Sequence, residues 1–317
     1  MVMKKNQKEL IITTPSRIHL GFYGINNNYG YTYGSLGLAV NYLPTCISIS
    51  KAKKFNTNVP KKIIDPIIKF IKLKKISNKF TINILENTPK HVGLGSGSQI
   101  ALSIGKAISS FFDLNMTLSE IADIFKRGTR SGVGIGTFNR GGFIVDCCKK
   151  EGLHPEILFH SKFPNNWRVI LLHDNNFQGS FGNKESKFFK KEISDSYDSN
   201  LSHIVIRGII PSIIYKDFSN FSKNITEFQQ ITSKLYKEKQ SDMFLSPQIS
   251  KIMKYIKGFD DIGIGQSSWG PMSYIFVESQ SKAKEMIKVI ENKFNVYNNL
   301  SYKIVKPSNT GHKIKYI

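Results

Sequence analysis

Residues 93–98 read Gly-Leu-Gly-Ser-Gly-Ser, and the residues that follow set Ile100, Ile104, Ala107, Ile108 and Phe111 at helical spacing. A glycine-rich turn opening directly onto an amphipathic helix needs backbone conformations that a Cβ disfavours, and it leaves the first N–H groups of the helix unpaired. Those N–H groups and the positive end of the helix dipole face one point, which suits an anion, and Ser96 and Ser98 add hydroxyl donors. No Gly-Lys-Ser/Thr follows, so this is not a Walker loop, and the third glycine of G-x-G-x-x-G is missing. Taken alone, the stretch reads equally as an anion cradle or as a tight strand-to-helix turn.

The surrounding chain is that of an ordinary globular protein: 317 residues, 40% hydrophobic and 21% charged, without repeats or low-complexity linkers. Its N-terminal third predicts strands in ELIITTPSRIHLGFYG, LGLAVNYLPTCISISKA and KFTINILEN. Thr117 to Glu120 forms a capping box, with Met116 and Ile121 as its hydrophobic staple and Gly128 as the expected helix stop. Helical patterns run from about residue 200 to 258, and then a glycine-rich turn, a strand, a helix and a strand close the chain. This order predicts an α+β protein with domains 1–165 and 166–317, the second carrying a helical insert.

The formal charge of +22 invites a polyanionic partner, but the lysines are scattered among Asn and Ile, with no dense basic block interleaved with aromatics. A general Lys/Asn/Ile bias accounts for the charge, and no nucleic-acid partner is expected. Cys46, Cys147 and Cys148 have neither metal-site nor disulfide-framework spacing, which suits a reducing, cytoplasmic setting, and the vicinal pair reads as buried small residues. No apolar run approaches the ~20 residues needed to span a bilayer, and no membrane association is expected.

Four strings then speak together: "PSRIHLGFYG", "GLGSGSQ", "RGTRSGVGIGTFNRGGF" and "GIGQSSWGP". Their order resembles that of the motifs of the GHMP kinase superfamily, with an early Pro-x-Lys/Arg, a middle P-x-x-x-G-L-G-S-S phosphate loop beginning at Pro89, and a late glycine turn. One departure is chemical. Mevalonate-type kinases carry Pro-Ser-Gly-Val-Asp where this chain has Arg130-Ser131-Gly132-Val133-Gly134, so the carboxylate that helps activate an attacking hydroxyl is replaced by glycine. In this and in the wording of the strings the chain resembles the β-ribofuranosylaminobenzene 5'-phosphate synthase family, a non-kinase branch.

That resemblance implies a GHMP-kinase-like two-domain fold, with the glycine loop in a left-handed βαβ crossover and a ferredoxin-like C-terminal domain. It implies condensation of phosphoribosyl pyrophosphate with an aromatic carboxylic acid, 4-amino- or 4-hydroxybenzoate, in methanopterin biosynthesis, with release of diphosphate and CO2. A magnesium ion would accompany the diphosphate, with Glu185 as its candidate protein ligand or simply a surface carboxylate, and a homodimer is expected. An ATP-dependent small-molecule kinase of the same superfamily is the alternative.

Loss of diphosphate from an anomeric carbon builds positive charge on the sugar and negative charge on the leaving group, so N–H donors and cations are required and a side-chain nucleophile is not. Arg17, His19 and Arg130 are the expected catalytic residues, Arg17 and His19 sharing one face of a strand. Gly93, Gly95, Ser96, Gly97 and Ser98 are expected to hold phosphate, together with Lys90, His91 and Arg140. Ser131, Gln266, Ser267, Ser268 and Trp269 are expected at the substrate, Trp269 either stacking on the aromatic ring or serving as a core aromatic.

Overall fold

The computed structural model describes residues 9–89, 92–177, 195–234, 242–268 and 270–317. Strand β1 (Glu9–Tyr23) folds back on β2 (Gly34–Lys51) as a long antiparallel hairpin. Its alternating Leu10, Ile12, Ile18 and Leu20 are fully buried. The pairing register shifts between Thr14 and Ser16, at Pro15, and again between His19 and Gly21. Such bulges admit a residue that lacks a donor and re-aim the side chains beside them.

Strand β3 (Asn56–Thr57), helix α1 (Lys61–Lys74) and strand β4 (Phe80–Glu86) follow, then α2 (Ser96–Phe111), α3 (Leu118–Ile124) and α4 (Val133–Arg140), and then β5 (Phe143–Asp146) and β6 (Ile157–Ser161). Both β4 and β5 pair antiparallel with β2, at its two ends, so they run parallel to each other and the glycine loop with α2 to α4 forms the crossover between them. Ile100, Ile104, Ala107 and Ile108 of α2 pack with Leu10, Ile12, Ile47 and Ile49 of the sheet in one apolar core. The capping box forms as expected: Thr117 accepts from the Glu120 N–H, and Glu120 accepts from the Thr117 N–H at 2.7 Å. The helix stop does not fall at Gly128. α3 ends at Ile124, and Gly128 lies in the following turn at φ +79°.

The second sheet comprises β7 (Arg168–Asp174), β8 (Gly263–Gln266), β9 (Ser273–Val277) and β10 (Leu300–Val305), with α9 (Gln280–Phe294) between the last two strands. Its spatial order is β10-β7-β9-β8, all antiparallel, which is the ferredoxin-like arrangement. Between β7 and β8 run α5 (Asp195–His203), a π-helical stretch (Ile204–Ile209), α6 (Ile210–Ile214), α7 (Phe218–Ser233) and α8 (Pro247–Ile256). Successive residues of β7 serve two cores: Val169 and Leu171 join Leu20, Leu36 and Phe221 between the two halves, whereas Ile170 and Leu172 face Ile252 and Ile290. The last strand, β11 (Lys313–Tyr316), returns to pair with β1, so the C-terminal segment closes the first sheet. Cys147 and Cys148, expected as buried small residues, are half-buried free thiols after β5, Cys148 packing against the central core. No helix among the described residues is long and apolar enough to cross a membrane.

Candidate active site

Strand β1 is stitched between two glycine turns. The Arg17 N–H donates to Leu94 O at 3.1 Å, and the Ser268 N–H donates to His19 O at 3.1 Å. The fully buried Ser267 hydroxyl accepts from the His19 N–H at 3.0 Å and donates to Gly93 O at 2.6 Å, so one side chain ties the strand, the phosphate-type loop and the late turn together. A Cβ on Gly270 would stand 2.4 Å from the Gly93 Cα, an approach that only glycine permits.

These ties align two helix starts on one cleft of about 170 Å3. α2 opens from Gly95 at φ +79° with no side-chain cap, and α4 opens from Gly132, where the Gly132 N–H donates to Asp146 and the Val133 N–H to Ser131 Oγ. Ser98 in the first turn of α2 faces Gly134 in the first turn of α4, where a Cβ would lie 3.3 Å from the Ser98 Cβ. Gln99 braces the pair, accepting from Thr14 Oγ1 at 2.9 Å and donating to Gly134 O at 3.3 Å. Arg17, Lys126, Arg127 and Arg130 line the cleft, and among the described residues its lining includes no Asp or Glu. The open start of α2 and four cations converge on a small volume, which is the environment of a bound polyanion.

The floor of the cleft is a chain of hydrogen bonds. His19, 4% exposed, accepts the Gly21 N–H at Nδ1 (3.3 Å), which leaves the Nε2 proton to donate to Ser131 Oγ at 3.2 Å. Burial, reinforced by Arg17 and then Arg130, holds its imidazole well below the ordinary value, so it is neutral. Ser131 Oγ lies 2.6 Å from Ser35 Oγ, which donates to Asp146 Oδ2 at 2.6 Å. Asp146 also accepts the N–H groups of Ser35 and Gly132, and burial pushes its carboxyl up to about 7.

The structure brings Arg17, His19, Ser98, Arg130, Ser131 and Ser268 together on the cleft, with Gly93, Gly95, Ser96 and Gly97 in its loop. Gln266 and Ser267 sit behind it: Gln266 accepts from the Leu245 N–H at 2.7 Å and donates to Ser268 O, so both residues support the wall. Arg140 is exposed at the far end of α4, beside His160 and away from the cleft. Lys90, His91, Glu185 and Trp269 lie outside the described residues. Sequence reasoning missed Lys126, Arg127, Ser35 and Asp146. Arg127 opens the RGTRSGVGIGTFNRGGF string without having been named as a site residue, Lys126 directly precedes it, and Asp146 shows only as the polar end of an apolar strand.

Fold and site together define a protein of the GHMP kinase class. Residues 58–142 match the GHMP kinases N terminal domain. The homoserine kinase of Cytophaga hutchinsonii superposes with a TM-score of 0.72 at 15% identity, over 99% of this chain and 100% of that one. The mevalonate diphosphate decarboxylase of Staphylococcus aureus superposes at 0.69 and 16%, with the same coverage. Within that class the sequence relatives are more specific. β-Ribofuranosylphenol 5'-phosphate synthase of Archaeoglobus fulgidus is 30% identical over 86% of this chain and 89% of its own length. That of Methanocaldococcus jannaschii is 28% identical over 96% and 100%. The chain belongs to the β-ribofuranosylphenol 5'-phosphate synthase family.

Proposed function

We propose that the chain is a decarboxylating phosphoribosyl transferase of methanopterin biosynthesis, joining C1 of phosphoribosyl pyrophosphate to the ring of 4-hydroxybenzoate. The observation that carries this reading is the cleft itself: four cations and the uncapped start of α2, with no carboxylate among the described residues of its lining. The phenol in the name of the relatives favours the hydroxy over the amino acid as acceptor.

In the reaction the C1–O bond breaks and its electron pair leaves with diphosphate, whose charge Arg17, Arg127 and the N–H groups of the α2 turn would hold. The ring carbon bearing the carboxylate attacks C1, and the bond to CO2 then breaks and returns its pair to the ring. Gly134, where a kinase would carry a carboxylate, places no side chain between itself and Ser98 at the two helix starts. Magnesium would accompany the diphosphate, with Glu185, outside the described residues, as its candidate protein ligand.

The test is incubation of the full chain with phosphoribosyl pyrophosphate, magnesium and each benzoate. Equimolar diphosphate and CO2, released only when both substrates are present, is the expected result. ATP consumption with an alcohol acceptor, or diphosphate release without CO2, overturns it.

A further inference from the structure

The hydrogen-bonded floor of the cleft has a direction. The single hydroxyl proton of Ser35 is spent on Asp146 Oδ2 at 2.6 Å, so at the 2.6 Å contact between the two serines it is Ser131 that donates. Ser131 Oγ in turn accepts two longer bonds of 3.2 Å, from His19 Nε2 and from the Val133 N–H, and also lies 3.5 Å from Asp146 Oδ2, a long direct contact beside the short route through Ser35. Both hydroxyl protons therefore point one way, from a serine that lines the cleft to a carboxylate that is fully buried. An anchor for the start of α4 needs only the Gly132 N–H bond to Asp146. Two hydroxyls in series between the cleft and a buried base are what a proton route needs.

We propose that Ser131, Ser35 and Asp146 form a proton chain that takes the phenolic proton of the acceptor during ring attack and returns it to the product, making the site selective for a phenol over an aniline. This rests on the acceptor reading above and extends it. A phenol drives attack from its para carbon strongly only as the oxyanion, whereas an amine can push its nitrogen lone pair without first losing a proton. The phenolic O–H breaks, with its proton passing to Ser131 Oγ, that of Ser131 to Ser35, and that of Ser35 to Asp146. The electron pair left on oxygen moves into the ring, the new bond to C1 forms as diphosphate departs, and loss of CO2 returns an electron pair to the ring. The phenolate then recovers its proton from Asp146, so no net proton is consumed. The substrate hydroxyl would replace one of the two long bonds at Ser131.

The electrostatics agree with this geometry. Burial pushes Asp146 up to about 7, against the bonds from Ser35, Gly132 and Val133 that lower it, so it exchanges a proton near neutrality. The titratable groups around it are Tyr23, whose hydroxyl donates to Asp146 O, and Cys147 and Cys148, with His19, Arg17 and Arg130 at the cleft end. Burial raises Tyr23 and Cys148 and holds His19 low, which keeps all three neutral across the range in which Asp146 titrates.

The experiment compares kcat for 4-hydroxybenzoate and 4-aminobenzoate in the parent, Asp146→Asn and Ser35→Ala. Ser35→Ala keeps the Ser35 N–H bond to Asp146 Oδ1 and removes the short route, leaving only the 3.5 Å contact from Ser131 to Asp146, so the proposal is tested even if Asp146→Asn does not fold. The expected result is a fall of roughly 100-fold in the hydroxy-to-amino ratio in either variant, in the range of one general-base contribution. The parent rate with 4-hydroxybenzoate should rise with pH through about 7, and that limb should disappear in the variants. An equal loss with both acceptors, or an unchanged pH limb, assigns the chain to structure alone and overturns the proposal. A parent that turns over neither benzoate overturns the functional reading itself, and this inference with it.

Discussion

The Arg17 side chain lies directly over Gly95: a Cβ at Gly95 would stand 2.8 Å from Arg17 Cγ and 2.9 Å from its Cζ. The loop glycine therefore does two jobs, taking φ +79° and leaving room for the cation that strand β1 delivers. Gly95→Ala should cost about 1–2 kcal/mol of stability from the left-handed backbone and displace Arg17. Affinity for phosphoribosyl pyrophosphate, read by calorimetry, should drop at least tenfold. At Gly97 the space is more open, the nearest atoms to a Cβ being the Arg127 guanidinium nitrogens at 3.5 Å. Gly97→Val should thus keep its melting temperature and lose binding. A folded Gly97 variant that binds like the parent would remove the loop from the anion site.

Arg127 and Arg140 make a matched pair of tests. Arg127→Ala removes a half-buried cleft cation and should weaken phosphoribosyl pyrophosphate binding by about 1.5–3 kcal/mol, the range for a charge-assisted hydrogen bond. Arg140→Ala, at the solvent end of α4, should change affinity by less than twofold, within the noise of a surface substitution. Equal effects in the two variants would mean that the protein's overall positive field, and not the cleft, binds the donor.

Gly134→Asp restores the kinase-type carboxylate. Ser98 must yield by a few tenths of an ångström, because the new Cβ lies 3.3 Å from its own, and the carboxylate then sits between two helix starts. A negative charge there favours the helices, so the melting temperature should hold or rise slightly. Donor affinity should fall by roughly 100-fold or more, through repulsion and loss of space. Turnover assays should show no gain of ATP-dependent phosphorylation; such a gain would make the kinase reading the better one.

His19 sets a pH dependence of stability. Its folded-state pKa lies below the ordinary 6.5, so at mildly acidic pH the unfolded chain binds a proton that the native site refuses. Its contribution to stability is present above 6.5 and is lost as pH falls toward the depressed value. Asp146, raised from 3.8 to about 7, acts with the opposite sign, since stability falls as pH rises across that window. The informative quantity is the difference between the parent and His19→Gln in urea unfolding at pH 5 and pH 8. The variant should gain relative to the parent at pH 5. A difference independent of pH would show that His19 is not held neutral.

Much of this was legible along the chain because it is local. The capping box of α3, the apolar stripe of α2 and the shared face of Arg17 and His19 each follow from residues within one helical turn or a two-residue repeat. The left-handed backbone at Gly93 and Gly95 is likewise a matter of missing Cβ atoms. By itself, then, the sequence determined the α+β class, the glycine turn at a helix start and the family.

Tertiary structure decided which charges meet. Ser267 reaches His19 across 248 positions of chain, and Ser35 reaches Asp146 across 111, and no local pattern marks either pair. Arg130 and Arg140 look alike in one glycine-dense segment, yet eight residues of α4 place one at the cleft and the other at the opposite end. Asp146 reads as the last residue of an apolar strand until packing surrounds it with N–H and hydroxyl donors. Hydrogen bonding and burial act over a few ångströms whatever the separation in sequence, so the cradle's backbone was written locally while its cations and its buried base were assembled only by the fold.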